Sequence, residues 1–352
     1  MPKIIIKDEH ISDAISNGIP VTDILAQAYE GEIADRKSKD AKLQDFDAFQ
    51  MSMMDHGISK HSKIKDFYAT TENNWLFPVF LDRTLHENVN KNSLLHYLVS
   101  GSPITIPGKV VEGTYLDLVT DEGNKDAVKK KRVTEGADLP LATLKTGDVA
   151  ITLSKYGRAV EATYESIQYC TIESFRRTIE FIADDVANQE FDMAVDVVIN
   201  GDGNKNAAKV NTTASQTLEH NDLLTLAMDV YDACKSPMDV IIAPRNQFMA
   251  LSNMMIATNG GVGIIPGSFF KFPQGINNDV IVIYNDSIPK AGGKEQLIGA
   301  ASKYGLTKFI AEDSQIREYD SNIRAQKKLG TISETAGFQK PFKEFARVLR
   351  MA

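Results

Sequence analysis

The stretch YESIQYCTIESFRRTIEFIADDVANQEFDMAVDVVINGDG, residues 164–203, organises the whole chain. Ile167, Thr171, Phe175, Ile179, Ile182, Val186, Met193 and Val197 recur at three- and four-residue steps, so they trace one face of a helix. The spacing predicts a single helix over about 164–199, spanning roughly 50 Å at about 1.5 Å per residue. That is long for an element inside a compact domain and suits a strut. Its polar side is acidic, with Glu173, Glu180 and Asp184 close to one line. Glu180 and Asp184 are like charges four residues apart, which costs a few tenths of a kcal/mol unless a cation stands nearby. Arg177 supplies part of that cation.

The strut stops at Asn200-Gly201-Asp202-Gly203. Two glycines around an acid raise the question of a phosphate-binding loop. Such a loop sits between a strand and a helix N-terminus, usually with Lys and Ser/Thr in place. Here the glycines follow a helix instead, where glycine accepts the left-handed conformation that ends it. Gly201 and Gly203 are therefore assigned to a structural turn that binds no ligand.

Upstream, over 101–162, the period changes to two. SPITIPGKVV, EGTYLDLVT and DVAITLSKYGRAVEATYE are strand-like and enclose a charged stretch containing Lys129, Lys130, Lys131 and Arg132. The simplest geometry is a long hairpin with a basic tip. Two strands alone bury too little to be stable in water, so the hairpin predicts a partner surface, on this chain or another. Before it, Trp75 to Phe80 form an apolar knot around Pro78, and a short amphipathic helix carries Leu94, Leu95 and Leu98. Residues 1–72 read as helical segments without a broad apolar stripe, an arm rather than a domain.

Downstream come mixed elements. NDLLTLAMDVYDACK is a helix with Asn221 available as N-cap, and RNQFMALSNMMIA is another. MDVIIAPRNQF and DVIVIYNDSIP read as buried strands, and the tail alternates again as strands. Irregular order of helices and strands indicates an α+β fold rather than regular βαβ winding.

Composition narrows the function. With 43% apolar and 24% charged residues the chain has an ordinary globular balance, which argues against disorder. A net charge of −8 argues against a broad basic face gripping nucleic acid, although not against enclosing it. Cys170 and Cys234 lack ligand partners at short spacing and read as small buried apolar residues of a reducing compartment. No run approaches the ~18 apolar residues of a membrane helix, and no secretory signal stands at the N-terminus. The chain reads as cytosolic and soluble. The six histidines form neither HExxH nor a His–Cys cluster. No GxSxG elbow is present. The expectation is no catalytic residue, no metal and no cofactor.

The order of parts then carries a resemblance. VTEGADLP (133–140), VAITLSKYGRAVEATYESI (149–167), the helix ending VVINGDG (197–203), DVIIAPRNQFMAL (239–251) and the closing IRAQKKLGTISETAGFQKPFKEFARVL together resemble the major capsid protein of tailed bacteriophages. That is the Hong Kong 97 fold, which encapsulin shells share. The resemblance covers about 75–350. It implies an N-terminal arm (1–100), an extended loop (101–162), a peripheral domain (163–205 and 311–336) and an axial domain (206–310 and 337–352). It implies self-assembly into hexamers and pentamers of an icosahedral head around double-stranded DNA. Portal, scaffolding or decoration proteins would be partners, with no membrane contact, and the location is the virion after assembly in the host cytoplasm. The basic tip Lys129–Arg132 would then meet Glu173, Glu180 and Asp184 of another subunit. An encapsulin-like compartment is the alternative within the fold, and an α+β enzyme of unknown type is the alternative outside it.

Overall fold

The computed structural model describes residues 3–17, 21–59, 61–68, 75–80, 83–84, 94–117, 143–163, 165, 169–258, 280–312, 316–322 and 327–352. The chain divides into two units, 1–92 with 157–187 and 317–332, and 93–156 with 188–316 and 333–352. The division runs through the long helix.

In the first unit, α1 (Asp8–Asn17), α2 (Val21–Ala28), α3 (Glu30–Lys39) and α4 (Ala48–Asp55) precede the first half of α5 (Ile172–Asn200). The N-terminal residues expected as an arm supply most of a core. Ile4, Leu25, Phe49, Met51, Phe67 and Leu76 are buried in one cluster with Phe175, Ile179 and Ala183 of α5. Phe67, Phe77 and Phe175 form a chain of ring contacts with centroids 5.6–5.7 Å apart. Asp47 starts α4 with a reciprocal capping box to Gln50, and Gly57 follows the helix at φ 69° as a left-handed stop. Arg36, almost fully buried, is paired with Asp55 at 2.9 Å, and the same carboxylate accepts from the Ile4 amide. Trp75 is half-buried and donates its indole N–H to Asp8 at 2.6 Å.

The long helix begins at Ile172 rather than 164. Just before it, the Ile64 amide donates to Cys170 O and the Ile172 amide to Ser62 O, so 170–171 pair with another segment instead of turning helically. The buried face also differs from the one the larger side chains suggest. Phe175 and Ile179 hold, but Ala183, Ala187, Ala194 and Val198 are buried where Ile182, Val186, Met193 and Val197 are half-exposed. Small residues mark where neighbours come closest, and a search for bulk passes over them.

In the second unit a five-stranded sheet has the order β7 (Lys209–Thr212), β14 (Ala346–Arg350), β10 (Gln296–Ala300), β8 (Val240–Ala243), β9 (Ile281–Tyr284). One face packs on the end of α5, with Val240, Ile242, Ile298 and Val348 against Phe191, Val195 and Val198. The other packs on α6 (His220–Cys234) and α7 (Arg245–Thr258), through Ile241, Ala243, Leu297 and Leu349. The N-cap of α6 is Glu219, whose amide donates to Asp222 at 3.0 Å, not Asn221. β9 is an edge strand with exposed residues rather than a buried one, because nothing among the described strands pairs with its outer side. Cys170 and Cys234 are free and half-buried.

The expected hairpin is present at its base. β2 (Val110–Val111) pairs antiparallel with β5 (Ile151–Thr152), and β3 (Thr114–Asp117) with β4 (Thr143–Thr146). Lys129, Lys130, Lys131 and Arg132 lie outside the described residues. β1 (Ile104–Ile106) runs parallel to β11 (Thr307–Ala311), which pairs with β13 (Lys327–Gln339); β13 also pairs with β6 (Ser154–Thr163) and β12 (Ile316–Asn322). The fold class is mixed α+β, as expected. No helix among the described residues is long and apolar enough to cross a membrane.

Candidate functional site: a polar fastening at the end of the long helix

Asn200 ends α5, and the chain leaves it through Gly201 at φ 81° and Gly203 at φ 94°. Glycine is required at 201 twice over: a Cβ there would stand 2.5 Å from Asn206 Oδ1 and 2.8 Å from the Ala207 amide. What sequence reading missed is the part played by Asp202, between Gly201 and Gly203, and by Asn204 and Asn206 after them.

Asp202 is a hub. Its carboxylate accepts from the Tyr115 hydroxyl at 2.8 Å, the Lys340 amide at 2.9 Å and the Asn204 amide at 3.2 Å. Its own amide donates to Asn206 Oδ1 at 3.0 Å, and Asn206 Nδ2 donates to Lys340 O at 2.9 Å. Asn204 meets Val149 as a strand would, accepting from its amide at 2.8 Å and donating to its carbonyl at 3.0 Å. One short turn thus satisfies backbone groups of the helix end, the hairpin base and the end of β13. The Tyr115 phenol is held protonated by burial and by the Asp202 carboxylate, well above its usual range.

Lys340 is fully buried and donates its ammonium to Val198 O at 2.9 Å, in the last turn of α5. A cation there meets the negative end of the helix dipole and one of its unpaired carbonyls. Burial still dominates and pushes its pKa down to about 8, against the pull of Glu344 and Asp202.

Ten residues before the end of α5 at Asn200, Glu190 forms a second buried knot. It is paired with Lys308, accepts from the Tyr156 hydroxyl at 2.9 Å, and shares Lys308 with Glu334 at 3.8 Å. Burial, with the charges of Glu190 and Glu334, drives the Tyr156 pKa far upward. An open groove of about 500 Å³ is lined by Asp192, Asp196 and Asp202, among others. Asp192 accepts from Asn285 and Asp196 from Asn200, both at 2.7 Å. All three acids are therefore engaged within the chain. Chemically, the arrangement fastens segments together.

The acidic face expected on the first half of the helix is partly neutralised in place. Arg176 lies 3.6 Å from Glu173 and 3.5 Å from Glu180, while Arg177 lies 3.7 Å from Glu173. Asp184 is half-buried. The fastening and this acidic face are separate constellations. No cluster of His, Cys, Asp and Glu able to hold a metal ion occurs among the described residues.

These features define a class by architecture, a mixed fold built around one long, fastened helix. The family model described as "Phage capsid protein" matches residues 146–322, half of the chain and including all of α5 and the Asp202 turn, and the chain belongs to that family. That membership agrees with the phage capsid resemblance carried by the order of parts. No curated protein matches. Among solved structures, a virus-like particle from Pyrococcus furiosus has a TM-score of 0.47 at 14% identity, covering 77% of this chain and 98% of its own. An encapsulin complex from Synechococcus elongatus PCC 7942 has 0.47 at 13%, covering 73% and 86%. A structure of Mycobacterium phage Che8 has 0.44 at 13%, covering 69% and 84%.

Proposed function

We propose that this phage capsid protein self-assembles into hexamers and pentamers that close into an icosahedral head around double-stranded DNA. Its role is that of a structural subunit rather than an enzyme. The family match over residues 146–322 carries the reading. Two features support it: the end of the long helix is fastened to the hairpin base and to the end of β13, and a net charge of −8 suits a container that encloses nucleic acid without gripping it. In this reading 101–162 is the extended loop, 163–205 with 311–336 the peripheral domain, 206–310 with 337–352 the axial domain, and assembly takes place in the host cytoplasm with portal and scaffolding or decoration proteins. Lys129–Arg132 of one subunit meet Glu173, Glu180 and Asp184 of another, competing there with Arg176 and Arg177.

Electron microscopy of the purified full-length protein tests this directly. Rings or closed shells are the expected result, and a uniform monomer at high concentration overturns it. A shell that loads protein cargo instead of nucleic acid would move the reading to a compartment. Neutralising Lys129–Arg132 should weaken shells while leaving the subunit folded; unchanged shells would remove the loop-to-helix charge contact.

A further inference from the structure

Phe181 is 76% exposed, more than any other large apolar side chain among the described residues. It stands on α5 opposite the face that buries Phe175, Ile179 and Ala183. One turn before it is Arg177, also well exposed, which among the described residues meets only Glu173, at 3.7 Å. An exposed pair at that distance is weak, so Arg177 can leave it. Aromatic and arginine side chains are the types that most often anchor interfaces, and a Phe buries about 150–250 Å² when it is covered.

The open groove of about 500 Å³ beside the end of α5 lies wholly in the second unit and matches such a pair. Ile151, Met193, Val197 and Phe338 give it an apolar lining, and Asp192 and Asp196 line its helix side. The hydrogen bonds to these two acids come from Asn285 and Asn200, neutral amides that leave both charges in place. A cavity of about 150 Å³ already admits a benzene ring, so the groove has room for a phenyl ring and the guanidinium beside it.

Spacing agrees with charge. Arg177 and Phe181 stand four residues apart on the helix, and so do Asp192 and Asp196, so each pair spans about one turn. A chain cannot make this contact with itself. Twelve residues of α5, about 18 Å at about 1.5 Å per residue, separate Phe181 from Met193, farther than a side chain reaches. Every copy carries both the ring and the groove, and a shell packs many copies together, so the occupant is another copy.

We propose that Phe181 and Arg177 of one copy dock into this groove of another, with the ring on Met193 and Val197 and the guanidinium on Asp196. The inference rests on the shell reading above and adds to it a surface and a pairing. Arg177 gives up Glu173 on docking, which leaves that acid to the basic loop.

The test uses the full-length chain, with assembly read by analytical ultracentrifugation and negative-stain microscopy and folding checked by circular dichroism. Phe181→Ser should reduce the assembled fraction by about tenfold with the subunit still folded, since the ring is exposed in a lone copy. Arg177→Asp and Asp196→Arg should each have a similar effect, and the two together should recover most of the loss. A mixed sample reads the contact itself: chains carrying only Phe181→Cys, combined with chains carrying only Val197→Cys, should give on mild oxidation a disulfide-linked dimer that neither variant gives alone. If Phe181→Ser assembles as the wild type does and the mixture gives no dimer, the docking is overturned while the shell reading stands. If the charge variants fail singly and the double does not recover, the pairing of Arg177 with Asp196 is wrong. If the wild-type chain never assembles, the shell reading fails first and this inference with it.

Discussion

The two halves of α5 are held by different means. Residues 172–187 bury Phe175, Ile179 and Ala183 among aromatic and aliphatic side chains, and their charged groups stay at the surface. Residues 188–200 bury Phe191, Val195 and Val198 in the same fashion, but they also bury charge: Glu190 with Lys308, and the helix end with Lys340. Apolar contact is non-directional, so a helix held by it alone tolerates small slides. A buried ion pair or a fully satisfied turn is directional and fails when one partner moves. The second half is therefore where the position of the strut is set.

The largest effect should come from removing one partner of the Glu190 knot. Lys308→Met leaves a buried carboxylate with only the Tyr156 hydroxyl, and loss of one partner of a buried pair costs about 3–5 kcal/mol. Urea unfolding of the subunit measures it. A loss below about 1 kcal/mol would mean the knot contributes little, and the contrast between the halves would vanish.

Lys340 comes next, through pH. Its folded pKa, about 8, lies below the ordinary 10.5. Below pH 8 both states carry the proton and the burial cost is fully present. Between about 8 and 10.5 the unfolded state binds more protons than the folded state, so stability rises with pH. The gain is on the order of 2–3 kcal/mol, since one pKa unit is worth about 1.4 kcal/mol. Lys340→Met lacks this slope. Unfolding midpoints of both proteins at pH 7.5 and 9.5 should show the wild type gaining on the variant; parallel shifts would mean that Lys340 keeps its proton.

The turn itself is smaller. Gly201→Ala forces a side chain into φ 81° and against Asn206, for roughly 2 kcal/mol, whereas Gly203→Ala at φ 94° meets nothing closer than 3.5 Å, for roughly 1 kcal/mol. Equal losses would show that backbone strain, not the Asp202–Asn206 packing, governs the turn.

What could be read beforehand follows the same division. The strut, its glycine stop and the hairpin base were legible because period, glycine and alternation are local signals. The N-terminal core was not. Ile4, Leu25, Phe49 and Phe67 come from separate short segments, each too poor in apolar residues to show a face of its own. The edge position of β9 was hidden for a related reason: IVIY has the composition of a buried strand, and only its place in the sheet exposes Tyr284. The fastening was hidden most completely. Tyr115, Asp202 and Lys340 are far apart in sequence, and a lone Lys before a Pro gives no sign that it caps a helix end. Asn204 and Asn206, two and four residues after Asp202, were the nearest thing to a signal, because such side chains bind nearby backbone.

The smallest effect belongs to the first half of the helix. Arg176 spans Glu173 and Glu180 at 3.5–3.6 Å with its side chain 47% exposed. Exposed pairs of this kind contribute about 0.2–1 kcal/mol, and salt screens them. Arg176→Ala should therefore cost less than about 1 kcal/mol in dilute buffer, and the difference from wild type should shrink in 1 M salt. It should also leave Glu173, Glu180 and Asp184 more negative, so assembly through a basic loop should be unchanged or improved while the isolated subunit weakens slightly. A loss of several kcal/mol that persists in salt would place these charges in a buried network, and the two halves of the strut would then be held alike.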